Sequence, residues 1–148
     1  MNKSWEILSG KGLKATPQRI LIYETLLADH SHPSAELVYE QIKSMHPTIS
    51  LATVHKTLET LVDLHLAKKV STIEGTFRYD GKTEDHHHIL IEGTDEIIDF
   101  DDALIKVVMQ EHLKTKTIHN LEITNISIQI SGRKKDTSKT VLISNNSL

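Results

Sequence analysis

The chain has 148 residues, with 17 Lys and Arg, 20 Asp and Glu, 10 His and no Cys, and a formal net charge of −3. This length suits one domain or two small ones. No apolar run approaches the roughly 18 residues of a membrane span, and the polar N-terminus lacks the apolar segment of a secretory signal, so we expect a cytoplasmic protein without a membrane partner. The absence of cysteine excludes disulfides and thiolate metal sites, so any bound metal depends on histidine and carboxylate ligands.

The first part of the chain predicts three consecutive helices. A Thr-Pro pair begins a helix predicted over residues 16–29, because threonine caps a helix and proline suits its first turn. Ser34 caps a second helix, which Pro47 ends. The third helix is predicted over 50–65, with one apolar side and one polar side.

A short β-hairpin is predicted after these helices. Its strands cover residues 66–73 and 76–79, and they flank a Glu74-Gly75 turn. The basic residues of this hairpin are Lys68, Lys69 and Arg78. Helices followed by a basic hairpin are the order of a winged helix-turn-helix domain, which binds DNA.

The C-terminal part predicts a smaller α+β unit. Strands are expected over 88–92 and 96–100, and the aspartates at 101–102 open a helix. A long isoleucine-rich strand is expected over 121–131, with a bulge near Thr124 because the alternation of apolar residues slips there. Such a strand exposes apolar surface on a lone small domain, so we expect burial against a second copy, as in a homodimer. The tail predicts either a last hairpin strand or a frayed end.

These patterns divide the chain into three parts. We predict a winged-helix DNA-binding domain over 1–79, a polar hinge over 80–85, and a dimerisation and metal-binding domain over 86–148. The fold class is therefore predicted as α+β.

Histidines and carboxylates concentrate after the hinge. In a strand that follows Asp85, His86 and His88 fall on one face and His87 on the other. Asp99 lies on the adjoining predicted strand. With Asp80 and His32, these residues supply three imidazoles and two carboxylates, which suit Fe²⁺, Mn²⁺ or Zn²⁺ without settling the metal. The alternative also remains open: a solvated histidine run, with His32 merely occupying a turn.

Catalytic motifs are weak in this sequence. It contains no Gly-rich phosphate loop, no Gly-x-Ser-x-Gly and no His-Glu-x-x-His. We therefore predict that the protein is not an enzyme. A small metal-dependent hydrolase that uses the His/Asp cluster is the alternative from another class.

Five segments in order closely resemble the Fur superfamily of metal-dependent repressors. They are Gly12-Leu-Lys-Ala-Thr-Pro-Gln-Arg19, His32-Pro-Ser-Ala-Glu-Leu-Val-Tyr39, Ser50-Leu-Ala-Thr-Val-His-Lys-Thr-Leu58, Arg78-Tyr-Asp80 and Asp85-His-His-His-Ile89. The resemblance covers nearly the whole chain. It implies an N-terminal winged helix, a hinge, and a C-terminal α+β dimerisation domain.

The aspartates at positions 80 and 99 look like the peroxide-sensing PerR branch. The resemblance assigns a regulatory site that binds Fe²⁺ or Mn²⁺, with Zn²⁺ possible in vitro; its ligands are His32, Asp80, His86, His88 and Asp99. In that branch bound iron reacts with hydrogen peroxide, and His32 and His86 are by position the oxidised ligands. A regulator that senses iron, manganese or zinc by occupancy alone is the alternative within the family.

The expected partners are a second copy of the chain and a double-stranded, palindromic DNA operator. The predicted DNA contacts are Lys14, Arg19, Thr53, His55, Lys56 and the basic hairpin residues Lys68, Lys69 and Arg78.

The sequence departs from the family pattern in three places. Most members carry two Cys-x-x-Cys pairs for a structural zinc, whereas the corresponding positions here are Ile91, Thr94, Ser127 and Ile130, so we expect no structural zinc. In the third helix, Glu59 stands where a relative has arginine, and a carboxylate facing phosphate is unfavourable. A second metal site of some relatives is not expected, because Lys106 occupies a ligand position.

Overall fold

A computed structural model describes residues 2–144. Contacts within the chain group it into two units, Met1–Glu84 and Asp85–Leu148, which we describe separately. The predicted domain and hinge boundaries stay a prediction.

The N-terminal unit contains four helices and a hairpin. Their bounds are α1 Lys3–Gly10, α2 Pro17–Ala28, α3 Ala35–Ile42, α4 Leu51–Asp63, β1 Lys68–Ser71 and β2 Phe77–Asp80. Helix α1 was not predicted from the sequence. The other three helices and the hairpin are confirmed; the helices and β1 are somewhat shorter than predicted, and β2 has the predicted length but lies one residue further along the chain.

Side-chain caps begin the three predicted helices. The hydroxyl of Thr16 accepts a hydrogen bond from the Arg19 N–H (3.3 Å), and that of Ser34 accepts one from Leu37 (3.2 Å). Ser50 accepts one from the N–H of the third residue of α4 (3.1 Å). Each cap satisfies a backbone donor that the first helical turn leaves without a partner, so the helices begin where the sequence places these residues.

The core of the N-terminal unit is built from the apolar faces of its helices. Helix α4 buries Val54, Leu58 and Leu61 completely, as its predicted apolar side requires. The other large aliphatic residues that are fully buried in this core are Leu8, Ile22, Leu26, Val38 and Ile42. Helix α4 therefore leaves its opposite face at the surface.

The hairpin is antiparallel, and its register pairs Lys68 with Asp80 and Ser71 with Phe77. Gly75 has a positive φ of 82° in the connecting turn, a conformation that glycine adopts without steric cost. Since β2 ends at Asp80, the hairpin brings a candidate ligand to the end of a paired strand.

The C-terminal unit has a three-stranded sheet and one helix. The strands are β3 His87–Ile91, β4 Ile97–Phe100 and β5 Gln129–Gly132, in the order β4-β3-β5. Strands β3 and β4 are antiparallel, whereas β5 runs parallel to β3. Helix α5 spans Ala103–Leu113 and is capped by Asp102, whose carboxylate accepts from two backbone N–H groups.

The predicted long strand over 121–131 is wrong in its extent. Only Gln129–Gly132 form a strand, and the pairing with β3 starts where the His88 N–H donates to the Ile128 carbonyl (3.1 Å). Leu121 is 61% exposed and Ile123 44% exposed. Strand β3 already bonds β4 on its other edge, so within the described residues the upstream part of this run has no neighbouring strand to pair with. Alternating isoleucines alone do not supply one.

In the tail, residues 141–144 form neither helix nor strand, and the rest of the predicted last segment lies outside the described residues. Among residues 2–144, no helix has the length and apolar character to cross a membrane.

Candidate functional site

In the N-terminal unit, two candidate ligands are in contact. The His32 Nε2 atom lies 3.2 Å from an Asp80 carboxylate oxygen, and both residues are buried, with 2% and 7% of their surface exposed. His32 comes from the loop between α2 and α3, whereas Asp80 is the last residue of β2. The structure thus joins two residues that are 48 positions apart.

The loop of residues 29–33, which we call the His32 loop, is tightly held. Asp29 accepts hydrogen bonds from the Ser31 N–H (2.9 Å) and hydroxyl, and from the Gln41 amide (2.7 Å). Partial burial raises the pKa of Asp29, but these hydrogen bonds outweigh burial and lower the pKa overall. The ionised carboxylate therefore organises the turn before His32.

Strand β2 holds the other end of the His32 loop. The Tyr79 N–H donates to the Pro33 carbonyl (2.9 Å), and the Arg78 Nε donates to the His32 carbonyl. His32 has a positive φ of 59°, in the left-handed region that residues with a Cβ rarely adopt.

The remaining candidate ligands form a set in the C-terminal unit. The register of the sheet pairs His88 with Asp99. A carboxylate oxygen of Asp99 lies 3.1 Å from the His86 Nε2 and 3.4 Å from the His88 Nε2. The two imidazole rings meet edge to face, with centroids 4.5 Å apart. Ligand atoms of all three residues are within 4.8 Å of one another.

The middle histidine has a structural role. His87 is buried, and its Nδ1 accepts a hydrogen bond from the Ile128 N–H (3.0 Å). This contact confirms the predicted alternation, in which His86 and His88 share one face and His87 has the other. The alternative of a solvated histidine run is wrong, since only 4% of the surface of His86 is exposed.

The donor chemistry of both sets fits a divalent cation. The N-terminal set presents one imidazole nitrogen beside a carboxylate oxygen and the C-terminal set presents two, at N–O distances of 3.1–3.4 Å. Nitrogen and oxygen ligands without sulfur suit Fe²⁺, Mn²⁺ or Zn²⁺. All five of these residues were predicted as ligands from the sequence, and their role in binding metal stays a prediction.

Most of the predicted DNA contacts lie at the surface of the N-terminal unit. On α4, His55 and Lys56 are exposed and Thr53 is half-buried; in the hairpin, Lys69 is exposed and Lys68 half-buried. Before and within α2, the predicted contacts are Lys14 (exposed) and Arg19 (half-buried).

Arg78 requires a correction. It was expected among the DNA contacts of the hairpin, but it is buried, with 7% of its surface exposed. Its guanidinium faces the interior and donates to the His32 carbonyl. Arg78 lies on the strand face that packs against the His32 loop, and it leaves the set of DNA contacts.

Glu59 has partners that the sequence did not reveal. Its carboxylate accepts a hydrogen bond from the Tyr79 hydroxyl and forms an ion pair with Lys69 (2.7 Å). The contacts with Lys69 and Tyr79 lower the pKa of Glu59, whereas burial and this carboxylate raise that of Tyr79. Glu59 therefore ties α4 to the hairpin.

Two further surface pairs bear on the predictions. The His55 imidazole lies 3.2 Å from the Glu36 carboxylate, so α3 also supplies an acid beside α4. In the C-terminal unit, the Lys106 ammonium lies 3.3 Å from Asp85. A cation therefore lies directly beside the Asp85 carboxylate, and the expected absence of a second metal site stays a prediction.

One residue that sequence reasoning missed left a signal in the sequence. Asp29 followed two residues later by Ser31 is typical of a turn in which the aspartate accepts from the backbone. The contacts of Arg78 and Glu59 left no comparable local signal, because they join residues 46 and 20 positions apart.

Comparison with known proteins supports the same interpretation. The chain is 30% identical over 129 residues to the peroxide-responsive repressor PerR of Staphylococcus saprophyticus, covering 87% of this chain and 85% of that protein. Among solved structures, the Campylobacter jejuni peroxide stress regulator matches with 32% identity and a TM-score of 0.69, over 93% of this chain and 99% of that chain. The Vibrio cholerae ferric uptake regulator matches with 27% identity and a TM-score of 0.75, over 89% and 100%.

These similarities confirm the predicted α+β class, with a winged-helix unit before an α+β unit. They also remove the hydrolase alternative, because the relatives are regulators of transcription. The sequence model of the ferric uptake regulator family matches residues 10–131. The chain belongs to the ferric uptake regulator family, whose members are transcription regulators and not enzymes.

Proposed function

We propose that this protein is a homodimeric DNA-binding repressor that senses hydrogen peroxide through a bound metal ion. The observation that supports this proposal most directly is that every candidate ligand is a histidine or an aspartate in contact with another candidate ligand, in a chain without cysteine. The proposed ligands are His32, Asp80, His86, His88 and Asp99.

Ligand number supports one shared ion. The N-terminal pair offers two donors and the C-terminal set offers three, and each number alone falls short of the four to six ligands that such ions usually take. Together they supply five, which suits Fe²⁺ or Mn²⁺. A shared ion would link metal binding to the orientation of the DNA-binding unit.

Iron(II), when bound, supplies the electrons that activate hydrogen peroxide. The net change in the protein is the insertion of one peroxide oxygen into a ring C–H bond of His32 or His86, while the other oxygen leaves as water. The rings of these residues lie beside the Asp80 and Asp99 carboxylates. Because the chain has no cysteine, imidazole oxidation replaces thiol chemistry as the sensing event.

Oxidation of a ligand ring would weaken metal binding and lift repression. If the coupling free energy between metal binding and DNA binding fell by about 3 kcal/mol, affinity for the operator would fall more than a hundredfold. The names of the Staphylococcus saprophyticus repressor and the Campylobacter jejuni regulator, both linked to peroxide, support this branch of the family.

Mass spectrometry of the iron-loaded protein tests the proposal. After brief peroxide treatment we expect one added oxygen on the peptide that contains His32 or on the one that contains His86, and none on the peptide of exposed His119. Protein loaded with Mn²⁺ and treated in the same way is the matched control and should remain unmodified.

The oxidised protein should also release DNA that the metal-loaded form selects from a random library. If DNA binding depends on metal but peroxide adds no oxygen to either peptide, peroxide sensing is contradicted. Sensing by metal occupancy would then be the remaining function. DNA binding that is equal with and without metal would contradict both.

A further inference from the structure

Three consecutive residues of β2 contact the His32 loop. The Arg78 Nε donates to the His32 carbonyl, the Tyr79 N–H donates to the Pro33 carbonyl, and Asp80 contacts the His32 ring. The middle contact is between backbone atoms and is open to any residue except proline. The first depends on an arginine side chain at position 78.

The backbone of His32 needs such support. Its φ of 59° lies in the left-handed region, where a side chain raises the conformational free energy, and surrounding contacts offset that cost. Rotation of this backbone to a negative φ would redirect both the carbonyl and the imidazole. The hydrogen bond from Arg78 to this carbonyl therefore opposes a backbone rotation that would also move the imidazole.

The environment of Arg78 fits a fixed guanidinium. The residue is buried, so its charge requires hydrogen bonds and nearby opposite charge. The guanidinium bonds the His32 carbonyl, and its charge contributes to the lowered pKa of Asp29. Arg78 thus acts on both ends of the turn that contains His32.

We propose that Arg78 is a positioning residue for the metal site. Its guanidinium holds the left-handed backbone of His32, so that the imidazole points toward Asp80 before any metal binds. The inference rests on the proposed role of His32 as a metal ligand. It assigns the buried arginine of the hairpin to the metal site instead of to DNA.

Titration of the metal-free full-length protein with Mn²⁺ tests this role. Arg78→Met should weaken Mn²⁺ binding by about tenfold, as loss of a group that orients a ligand commonly does. Arg78→Lys retains a donor and should recover part of the affinity. Arg133→Met, which changes an exposed arginine of the C-terminal unit, is the matched control and should bind as the wild type does.

A double-mutant cycle with His32→Ala separates positioning from a general loss of structure. If Arg78 acts through His32, Arg78→Met should weaken Mn²⁺ binding in the wild-type background and have no further effect beside His32→Ala. An equal loss in both backgrounds overturns positioning. Far-UV circular dichroism checks that each variant is folded. If Arg78→Met does not fold, the cycle is measured with Arg78→Lys in its place.

The two proposals fail in different ways. Unchanged Mn²⁺ affinity in His32→Ala overturns the proposed metal site itself. Weak binding in His32→Ala together with wild-type affinity in Arg78→Met and Arg78→Lys overturns only the positioning role.

Discussion

The role of Glu59 is interpreted differently once its contacts in the structure are known. From the sequence, it is a carboxylate on a helix surface that should approach DNA phosphates. In the structure, the Glu59 carboxylate accepts a hydrogen bond from the Tyr79 hydroxyl and pairs with the Lys69 ammonium. Lys69 in turn lies 4.0 Å from the centre of the Phe77 ring. The acid therefore stabilises the hairpin against α4, at the cost of partly neutralising a basic residue there.

Replacement of Glu59 by Gln should change the acid stability of the protein. The pKa of Glu59 is lowered by its contacts with Lys69 and Tyr79, so the ionised form stabilises the fold. That contribution is fully present at neutral pH and is lost as the pH falls from about pH 5 through the lowered pKa. Wild type should therefore be more stable than Glu59→Gln at neutral pH, with a difference that shrinks on acidification.

Thermal unfolding midpoints measured between neutral and acidic pH check this expectation. Glu74→Gln, in the exposed turn of the hairpin, is the control and should follow the wild type. A constant difference between wild type and Glu59→Gln across the whole range would show that the ionised carboxylate contributes nothing.

At the scale of elements, local signals predicted most of the N-terminal unit. Helices α2 to α4 were predicted from their capping residues, Thr16, Ser34 and Ser50, and from the helical spacing of apolar residues. Both signals act within a few residues, so they can be recognised in the sequence. Helix α1 was not predicted, because it has only eight residues and its cap, Asn2, is the second residue of the chain. Strand β5 was overextended because pairing depends on a partner strand distant in sequence.

The exposed face of α4 should contribute to DNA binding through charge. Lys56→Gln removes one cation from this face, so it should lower affinity for all DNA sequences to a similar degree. Fewer counterions would then be released on binding, and the slope of log affinity against log salt should decrease by about 1. Fluorescence anisotropy with a random-sequence duplex at several salt concentrations measures both effects.

Lys114→Gln is the matched control, since that lysine lies just after α5 in the C-terminal unit and pairs with Glu111 (2.7 Å). An unchanged salt slope in Lys56→Gln would remove α4 from the proposed DNA-binding surface.

At the scale of the whole molecule, the two halves of the candidate metal site differed in predictability. The pairing of His88 with Asp99 follows from strand alternation and the order of two adjacent strands. The contact of His32 with Asp80 does not follow from any periodicity; the residue types suggested a five-ligand set, and the family resemblance then assigned both residues to it. Of the supports of that contact, Asp29 left a local turn signal with Ser31, whereas the bond from Arg78 depends on tertiary packing that no local pattern encodes.

The apolar surface of the C-terminal unit predicts a dimer. None of the eleven residues of α5 is buried, and Leu104, Val107 and Val108 are more than half exposed. Such a face needs a partner, and we expect a second copy of the chain. Sedimentation velocity should give twice the 16.7 kDa mass of one chain for the wild type. Leu104→Glu should shift the protein toward monomer by placing a charge on this face.

Leu37→Glu, at an exposed leucine of α3 in the N-terminal unit, is the control and should leave the dimer intact. A wild-type protein that sediments as a monomer at micromolar concentration would contradict the proposed homodimer.

The backbone hydrogen bond between Tyr79 and Pro33 makes the opening of the His32 loop measurable. The Tyr79 amide donates to the loop carbonyl, so its hydrogen is exposed to solvent only when the loop separates from β2. Amide hydrogen exchange at this one position therefore measures the free energy of local opening around His32 when that opening costs less than global unfolding. A ligand that uses His32 should slow exchange at Tyr79 in proportion to its binding, and oxidation of the imidazole should restore the faster rate.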